Sequence, residues 1–147
     1  MQLTQYTDFS FRVLIFLAQK PSGLSTVTEI AAFHGISRNH LVKVIHNLAS
    51  KGFIVTTRGR NGGMALSRAP ANINLGDVAR QTEPNFSIAE CFDKENNRCV
   101  ITPTCSLKSI FWEAKMAFLN TLDKYTLADA IVTAEPSGKA ISLPPSH

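Results

Sequence analysis

A mainly α-helical chain carrying one small β-hairpin is the fold class the sequence predicts, and three observations predict it. Apolar residues recur at i, i+3, i+4 and i+7 in several windows, the period of a helix with one buried face. Residues suited to N-caps stand directly before several of those windows. Only one place, between residues 53 and 67, joins two short β-rich runs through an Asn-Gly turn signal. The length of 147 residues suits one domain, at ~100–200 residues each, with appendages.

In order along the chain, the first helix is expected over Tyr6 to Lys20, with Phe11, Leu14, Ile15 and Ala18 as its apolar stripe and Pro21, Ser22 and Gly23 ending it. Ser25 and Thr26 lead into a short second helix, Val27 to His34, in which Ile30, Ala31 and Phe33 are apolar and which Gly35 breaks. Ser37 is a good N-cap for a third helix over Arg38 to Ser50. Its buried stripe is Leu41, Val44, Ile45 and Leu48; its other face carries Arg38, Asn39, His40, Lys43, His46 and Asn47, and Gly52 ends it. Phe53 to Thr57 and Met64 to Ser67 are the strands of a hairpin whose turn includes Asn61-Gly62. Asn74 caps a fourth helix, Leu75 to Thr82. Residues 85–103 show no periodicity. From Thr104 a helix of ~20 residues, about 30 Å, carries Leu107, Ile110, Phe111, Ala114, Phe118, Leu122 and Tyr125 at spacings of 3 and 4. Thr126 with Asp129 caps a short last helix, and the Pro-rich end reads as a loose tail. The organisation expected is a reading module over 1–82, a cysteine loop over 83–103, helices over 104–133 and a flexible tail over 134–147.

The composition, 44% hydrophobic and 18% charged, is that of an ordinary globular protein and excludes disordered and collagen-like classes. The longest apolar run, Val13 to Ala18, is far short of the ~20 residues that span a bilayer. With no basic flank at the N-terminus and Asp8 early in it, no secretory signal is expected, which points to the cytoplasm and to no membrane partner. Net charge is +4, and its placement matters more than its size. Between Ser37 and Arg68 stand Arg38, Lys43, Lys51, Arg58, Arg60 and Arg68, with no Asp or Glu among them. The rest of the chain is mildly acidic. A basic stretch inside an acidic remainder is the footprint of a polyanion binder, although a solvated face can have the same composition.

Helix, Gly35 turn, helix and hairpin together match a winged helix-turn-helix. The major groove, ~12 Å wide, admits one helix, and the second helix of the motif enters with its N-terminal residues at the base edges. Here those are Ser37, Arg38, Asn39 and His40. Arginine can donate two bonds to guanine and asparagine can pair bidentately with adenine. Ser37 and the helix N-terminus suit a phosphate, and Lys43 reaches the backbone. On the wing, Arg58, Arg60, Asn61 and Gly62 would lie along phosphates or enter the minor groove. Winged helices that dock proteins are the competing reading.

Cys91, Cys99 and Cys105 are the only cysteines. An odd count in a non-secreted chain argues against a disulfide framework. Their spacing holds no CxxC and no histidine lies within ten residues, so it is not a zinc-finger pattern. Three thiolates within 15 residues suit an iron–sulfur cluster, which usually takes four ligands; buried or merely reactive thiols are the alternatives. Cys105 at a helix N-terminus would gain from the macrodipole. No G-x-S-x-G, H-E-x-x-H, G-x-G-x-x-G or P-loop occurs, so no enzyme is expected.

Several stretches together resemble one bacterial family. They are Met1-Gln2-Leu3-Thr4 with Thr7-Asp8, the run Gly35 to Lys43, Arg58-Gly59-Arg60-Asn61-Gly62-Gly63, Glu83-Pro84, Ile101-Thr102-Pro103 with Cys105, and Asp123 with Tyr125-Thr126-Leu127-Ala128-Asp129. Over about residues 1–132 the chain is similar to the Rrf-type winged-helix transcriptional regulators, most of all to their nitric-oxide-sensitive repressors. The resemblance implies a homodimer whose long helices pack together, binding double-stranded operator DNA. It implies that Cys91, Cys99 and Cys105 hold a [4Fe–4S] cluster, with [2Fe–2S] as the alternative, that Asp8 of the partner subunit is the fourth ligand, and that nitric oxide is the signal. Arg12, four residues on from Asp8, can pair with it. Two departures stand out. The gap between Cys91 and Cys99 is longer than the family leads one to expect, so residues 93–97 should bulge outward. The family's cluster-biogenesis regulators have a His where Lys108 stands here. The alternatives are a repressor of this family sensing iron, cluster supply or thiol oxidation, and a small iron–sulfur electron-transfer protein.

Overall fold

The structure, a computed structural model, describes residues 2–20 and 23–131. Six α-helices and one hairpin are formed among them: α1 Gln5–Gln19, α2 Val27–His34, α3 Arg38–Ser50, β1 Ile54–Thr57, β2 Gly63–Leu66, α4 Leu75–Thr82, α5 Ser106–Leu122 and α6 Leu127–Ala130. No helix among the described residues is long and apolar enough to cross a membrane. The expected tail over 134–147 lies outside them.

Local cap chemistry sets the limits of α2, α3 and α4. The Thr26 hydroxyl accepts from Glu29 N–H while the Glu29 carboxylate accepts from Thr26 N–H, a closed capping box. The Ser37 hydroxyl accepts from His40 N–H, and the Asn74 side chain accepts from Asp77 N–H. Each satisfies one of the donors that a helix start leaves over. In α3 the apolar side chains expected to be buried, Leu41, Val44, Ile45 and Leu48, are buried.

The central helix, α1, packs on α2, α3, α4, α6 and β2, and its buried face is turned from the one periodicity suggests. Thr7, Ser10, Val13, Leu14 and Leu17 are buried, while Phe11, Ile15 and Ala18 pack only partly against the core. The two polar members are tolerated because they are bonded. Ser10 Oγ donates to the Tyr6 carbonyl at 2.8 Å, and Thr7 Oγ1 donates to Glu83 Oε2 at 2.6 Å. Around them Leu14, Ile30, Leu41, Leu48, Ile73, Val78 and Leu127 are fully enclosed, each stabilising the fold by roughly 1.5–3 kcal/mol relative to an exposed position.

The hairpin forms where expected, with Asn61-Gly62 inside its loop. The register pairs Thr57 with Gly63 and leaves five residues between the strands. The loop reverses at Gly59, with φ of 117°, and closes with Gly62 N–H donating to the Gly59 carbonyl at 3.0 Å. Ser25, outside the two strands, bridges to Met64 of β2 and ties the hairpin to the chain before α2.

The long helix starts at Ser106, two residues later than expected, because Pro103 sits in a 3-10 turn over Thr102–Thr104. Its 17 residues extend about 25 Å. Only Leu119 in it is buried; Leu107 and Ile110 are 51% and 58% exposed. Within one chain the apolar stripe of α5 is therefore largely uncovered. The chain then turns back, and Leu127 of α6, fully buried, rejoins the core.

Candidate nucleic-acid interface and cysteine cleft

The exposed face of α3 begins at its cap. Ser37, Arg38, Asn39, His40 and Lys43 are all exposed there, as are Arg58, Arg60 and Asn61 on the loop between the strands; Gly62 is half-buried in the turn. Among the described residues no carboxylate pairs with Arg38, Lys43, Arg58 or Arg60; the salt bridges involve Arg12, Lys20 and Arg80. Four cations and the positive end of the α3 dipole, capped by Ser37 but facing no carboxylate, thus project without internal neutralisation. The helix is braced from behind. Tyr6 Oη donates to the Lys43 carbonyl at 3.2 Å, and the His40 ring leans on Phe9 with centroids 6.4 Å apart. Burial pushes the Tyr6 phenol above its ordinary value. Arg68 serves the fold rather than the surface. Its guanidinium donates to the carbonyls of Asn72 and Gly52 and lies over the Phe53 ring at 5.3 Å.

The cysteine loop is organised by side chains of its own. Asp93 Oδ1 accepts from the N–H groups of Glu95 and Asn96, and its Oδ2 accepts from the Asn96 amide at 2.8 Å. The Asn96 side chain, then these backbone donors, hold the Asp93 carboxyl below the usual carboxylate range. Lys94, Glu95 and Asn96 are exposed on this turn, so the segment between Cys91 and Cys99 does bulge outward. The Glu90 carboxylate accepts from Arg98 N–H across the base of the bulge, and Asn97 Oδ1 accepts from Cys99 N–H at 3.1 Å.

Cys91 in a 3-10 turn, Cys99 in the loop and Cys105 at the N-cap of α5 are free, half-buried thiols. All three line one cleft of about 220 Å³, walled by Ile101, Leu107 and Phe111 with Lys108 at its edge. Cys91 and Cys105 also open onto a cleft of about 640 Å³ beside Phe92, Lys94 and Trp112. Among the described residues no three His, Cys, Asp or Glu gather tightly enough for a single metal ion. Three sulfurs from separate segments around an apolar wall nevertheless form a donor set suited to an iron–sulfur cluster with a fourth ligand from outside.

Asp8 does not join them within the chain. It lines a different cleft, with Leu3, Gln5 and Phe11, and its carboxylate pairs with Arg12 at 2.8 Å, each side chain about half exposed. Two further features escaped the sequence reading. Phe92, next to Cys91, stacks on Trp112 with centroids 6.5 Å apart and planes 8° from parallel, and Lys115 Nζ lies 4.8 Å from the Trp112 centroid. Glu83, at the root of the loop, accepts from Thr4 N–H, Thr4 Oγ1 and Thr7 Oγ1 through one oxygen. The i, i+3 spacing of Trp112 and Lys115 was the available signal for the first; nothing local signals the second.

Comparison with known proteins gives one answer. The pattern of the Rrf2 family, described as iron-dependent transcriptional regulator, matches residues 3–133. The HTH-type transcriptional regulator NsrR of Bacillus subtilis (strain 168) is 49% identical over 144 residues, covering 97% of this chain and 99% of that protein. The NsrR of Geobacillus kaustophilus is 48% identical over 132 residues, covering 89% and 90%. Among solved structures, T. potens IscR superposes with a TM-score of 0.74 at 26% identity over 95% of this chain and 93% of that one. CymR, the global cysteine regulator of B. subtilis, shares the fold with a TM-score of 0.72 at 24% identity over 88% and 95%. These relatives are regulators of transcription and not enzymes, and the chain belongs to the Rrf2 family of transcriptional regulators.

Proposed function

We propose that this regulator is a cytoplasmic, operator-binding repressor that works as a homodimer, holds an iron–sulfur cluster on Cys91, Cys99 and Cys105, and releases DNA in response to nitric oxide. The observation that carries the reading is the convergence of the three thiols on one cleft at the N-terminal end of α5. The exposed Leu107, Ile110 and Ala114, with the half-buried Phe111 and Phe118 beside them, form the surface on which a second copy packs. Each dimer then presents two α3 helices to successive major grooves, ~34 Å apart. Ser37 and the α3 N-terminus hold a phosphate; Arg38, Asn39 and His40 read base edges; Lys43, Arg58, Arg60, Asn61 and the close backbone at Gly62 follow the DNA backbone.

The partner subunit's Asp8 completes the ligand set of each cleft. A [4Fe–4S] cluster is the form proposed, with [2Fe–2S] as the alternative. When bound, the group would supply iron able to take nitric oxide as a ligand. The chain's part is positional. Cys105 is held at the α5 N-terminus behind Pro103, Cys99 is fixed by Asn97, and Cys91 by the turn stacked on Trp112. A signal shifts DNA binding only if it acts differently on the bound and free states. The tie between one subunit's loop and the partner subunit's Asp8, present in one state and absent in the other, supplies that difference.

The test is anaerobic purification followed by operator binding before and after nitric oxide. Loaded protein should be brown, should lose colour or change spectrum on exposure, and should then release the operator. Asp8→Ala should shorten cluster lifetime without unfolding the metal-free chain. Equal operator affinity of loaded and metal-free protein overturns the sensor reading, and an unchanged cluster lifetime in Asp8→Ala removes Asp8 from the ligands.

A further inference from the structure

The stretch from Asp123 to Asp129 touches neither the cysteine cleft nor the exposed face of α3, yet it is densely bonded. Arg80 Nη1 donates to Asp123 Oδ1 at 2.6 Å and Nη2 to Oδ2 at 2.7 Å, a two-pronged contact between α4 and the C-terminal end of α5. The Asn74 amide donates to the carbonyls of Asp123 and Tyr125, and Leu75 N–H donates to Tyr125 O at 3.0 Å. Leu127 N–H returns to Ile73 O at 2.7 Å. The Asp129 carboxylate accepts from the Thr126 N–H and hydroxyl at the start of α6, whose Leu127 is fully buried in the core. At Gly76 a Cβ would collide with Asp123 Oδ1 and crowd Arg80 Nη1, so a side chain there would push the fork out of its seat.

A pair of this exposure, 37% and 38% for the two side chains, adds little to stability. Its geometry is another matter. A guanidinium gripping a carboxylate by two parallel bonds fixes an angle as well as a distance, which a single ammonium does not. The angle fixed is that between α5 and α4, and α4 packs on α1, which packs on α3. The orientation of the long helix relative to the reading helix therefore passes through this joint.

We propose that the Arg80–Asp123 fork, seated on Gly76 and braced by Asn74, is the specificity determinant for half-site spacing in the operator. The proposal rests on the dimer through α5 described above. A tilt of about 7° acting over about 30 Å, the breadth of a small domain, displaces a reading head by roughly 3.5 Å, one base-pair step. Arg80 and Asp123 touch no DNA in this account; they are positioning residues.

The experiment uses the full-length chain and an operator duplex selected by the wild type from a randomised pool, with versions lengthened or shortened by one and two base pairs between half-sites, and a single half-site duplex. Wild type should prefer its selected spacing by on the order of tenfold over a one-base-pair change, equivalent to about 1.4 kcal/mol. Arg80→Gln and Asp123→Asn should bind the half-site within about twofold of wild type yet show a preference of about twofold or less among spacings. Arg80→Lys, which keeps the charge and loses the fork, should behave as Arg80→Gln does. Half-site affinity reports folding for each variant; should Arg80→Gln not fold, Asp123→Asn and Arg80→Lys decide. Variants that keep the wild-type preference overturn the proposal and leave the dimeric repressor intact. A wild type indifferent to spacing overturns the dimeric reading itself, and this one with it.

Discussion

Replacing Glu83 with alanine should destabilise the metal-free chain by about 3 kcal/mol. The figure follows from what one oxygen does. Glu83 Oε2 accepts from Thr7 Oγ1 at 2.6 Å and from Thr4 N–H and Thr4 Oγ1 at 3.1 Å each. Thr7 is fully buried, so no water replaces its acceptor, and a lost bond to a charged group costs about 1.5–3 kcal/mol. Thr4 is half-buried and caps α1; weakening that cap adds about 0.5–1 kcal/mol. The assay is urea unfolding followed by circular dichroism, with an expected fall in midpoint at constant slope. In a thermal scan the same loss appears as roughly 6–12 °C. Glu83→Ala and Thr7→Val should not be additive, since each removes the same bond, and the double variant should recover about 1–2 kcal/mol of the summed loss. A midpoint for Glu83→Ala within about 0.5 kcal/mol of wild type, or strict additivity with Thr7→Val, refutes the reasoning. The stake is functional as well as structural, because Asp8 follows Thr7 directly and its N–H completes the first turn on Thr4 O at 3.0 Å.

Arg38→Ala should relax sequence preference, with a loss of ~1–3 kcal/mol on the selected operator and little on random duplex; equal losses on both, measured by fluorescence anisotropy of labelled DNA, would make Arg38 a phosphate contact only. Stability should fall slightly at acid pH, since the carboxyls concerned are exposed, and in a defined window. The Arg80 guanidinium beside Asp123, and the Thr126 N–H and then hydroxyl at Asp129, hold these carboxyls below their ordinary range. Their contribution is complete above the unfolded carboxylate value of about 3.9 and is lost as pH falls through the lower folded values. Urea midpoints should drop below about pH 4, and less so in Asp123→Asn; a variant that tracks wild type throughout removes Asp123 from the account.

What the sequence made legible was local. Thr26, Ser37 and Asn74 each bond a backbone group three residues on, so α2, α3 and α4 could be delimited from neighbours alone. The α3 stripe was readable because every buried residue in it is apolar. On α1 the same method misplaced the buried face, because Thr7 and Ser10 look like surface residues until their acceptors are seen, Glu83, 76 positions away, for Thr7 and the Tyr6 carbonyl for Ser10. Counting cations marked the basic face but not which of them are occupied, and Arg68 proved to be committed to Asn72, Gly52 and Phe53. The Asn-Gly signal and the β-rich runs on either side of it located the hairpin, and strand register sets its loop at five residues. Spacing drew attention to the three cysteines; that they share one cleft depends on a 3-10 turn, an Asx turn and the α5 cap, none of which has a periodicity.

Trp112 is the chain's single tryptophan, and it lies against the residue next to Cys91. All indole emission from the unmodified protein therefore originates beside the three thiols, while α3 and the hairpin, lacking indole, stay dark. Any rearrangement that unstacks Phe92 or draws Lys115 away alters that light, so the molecule carries an optical gauge of its own loop and needs no dye to report it.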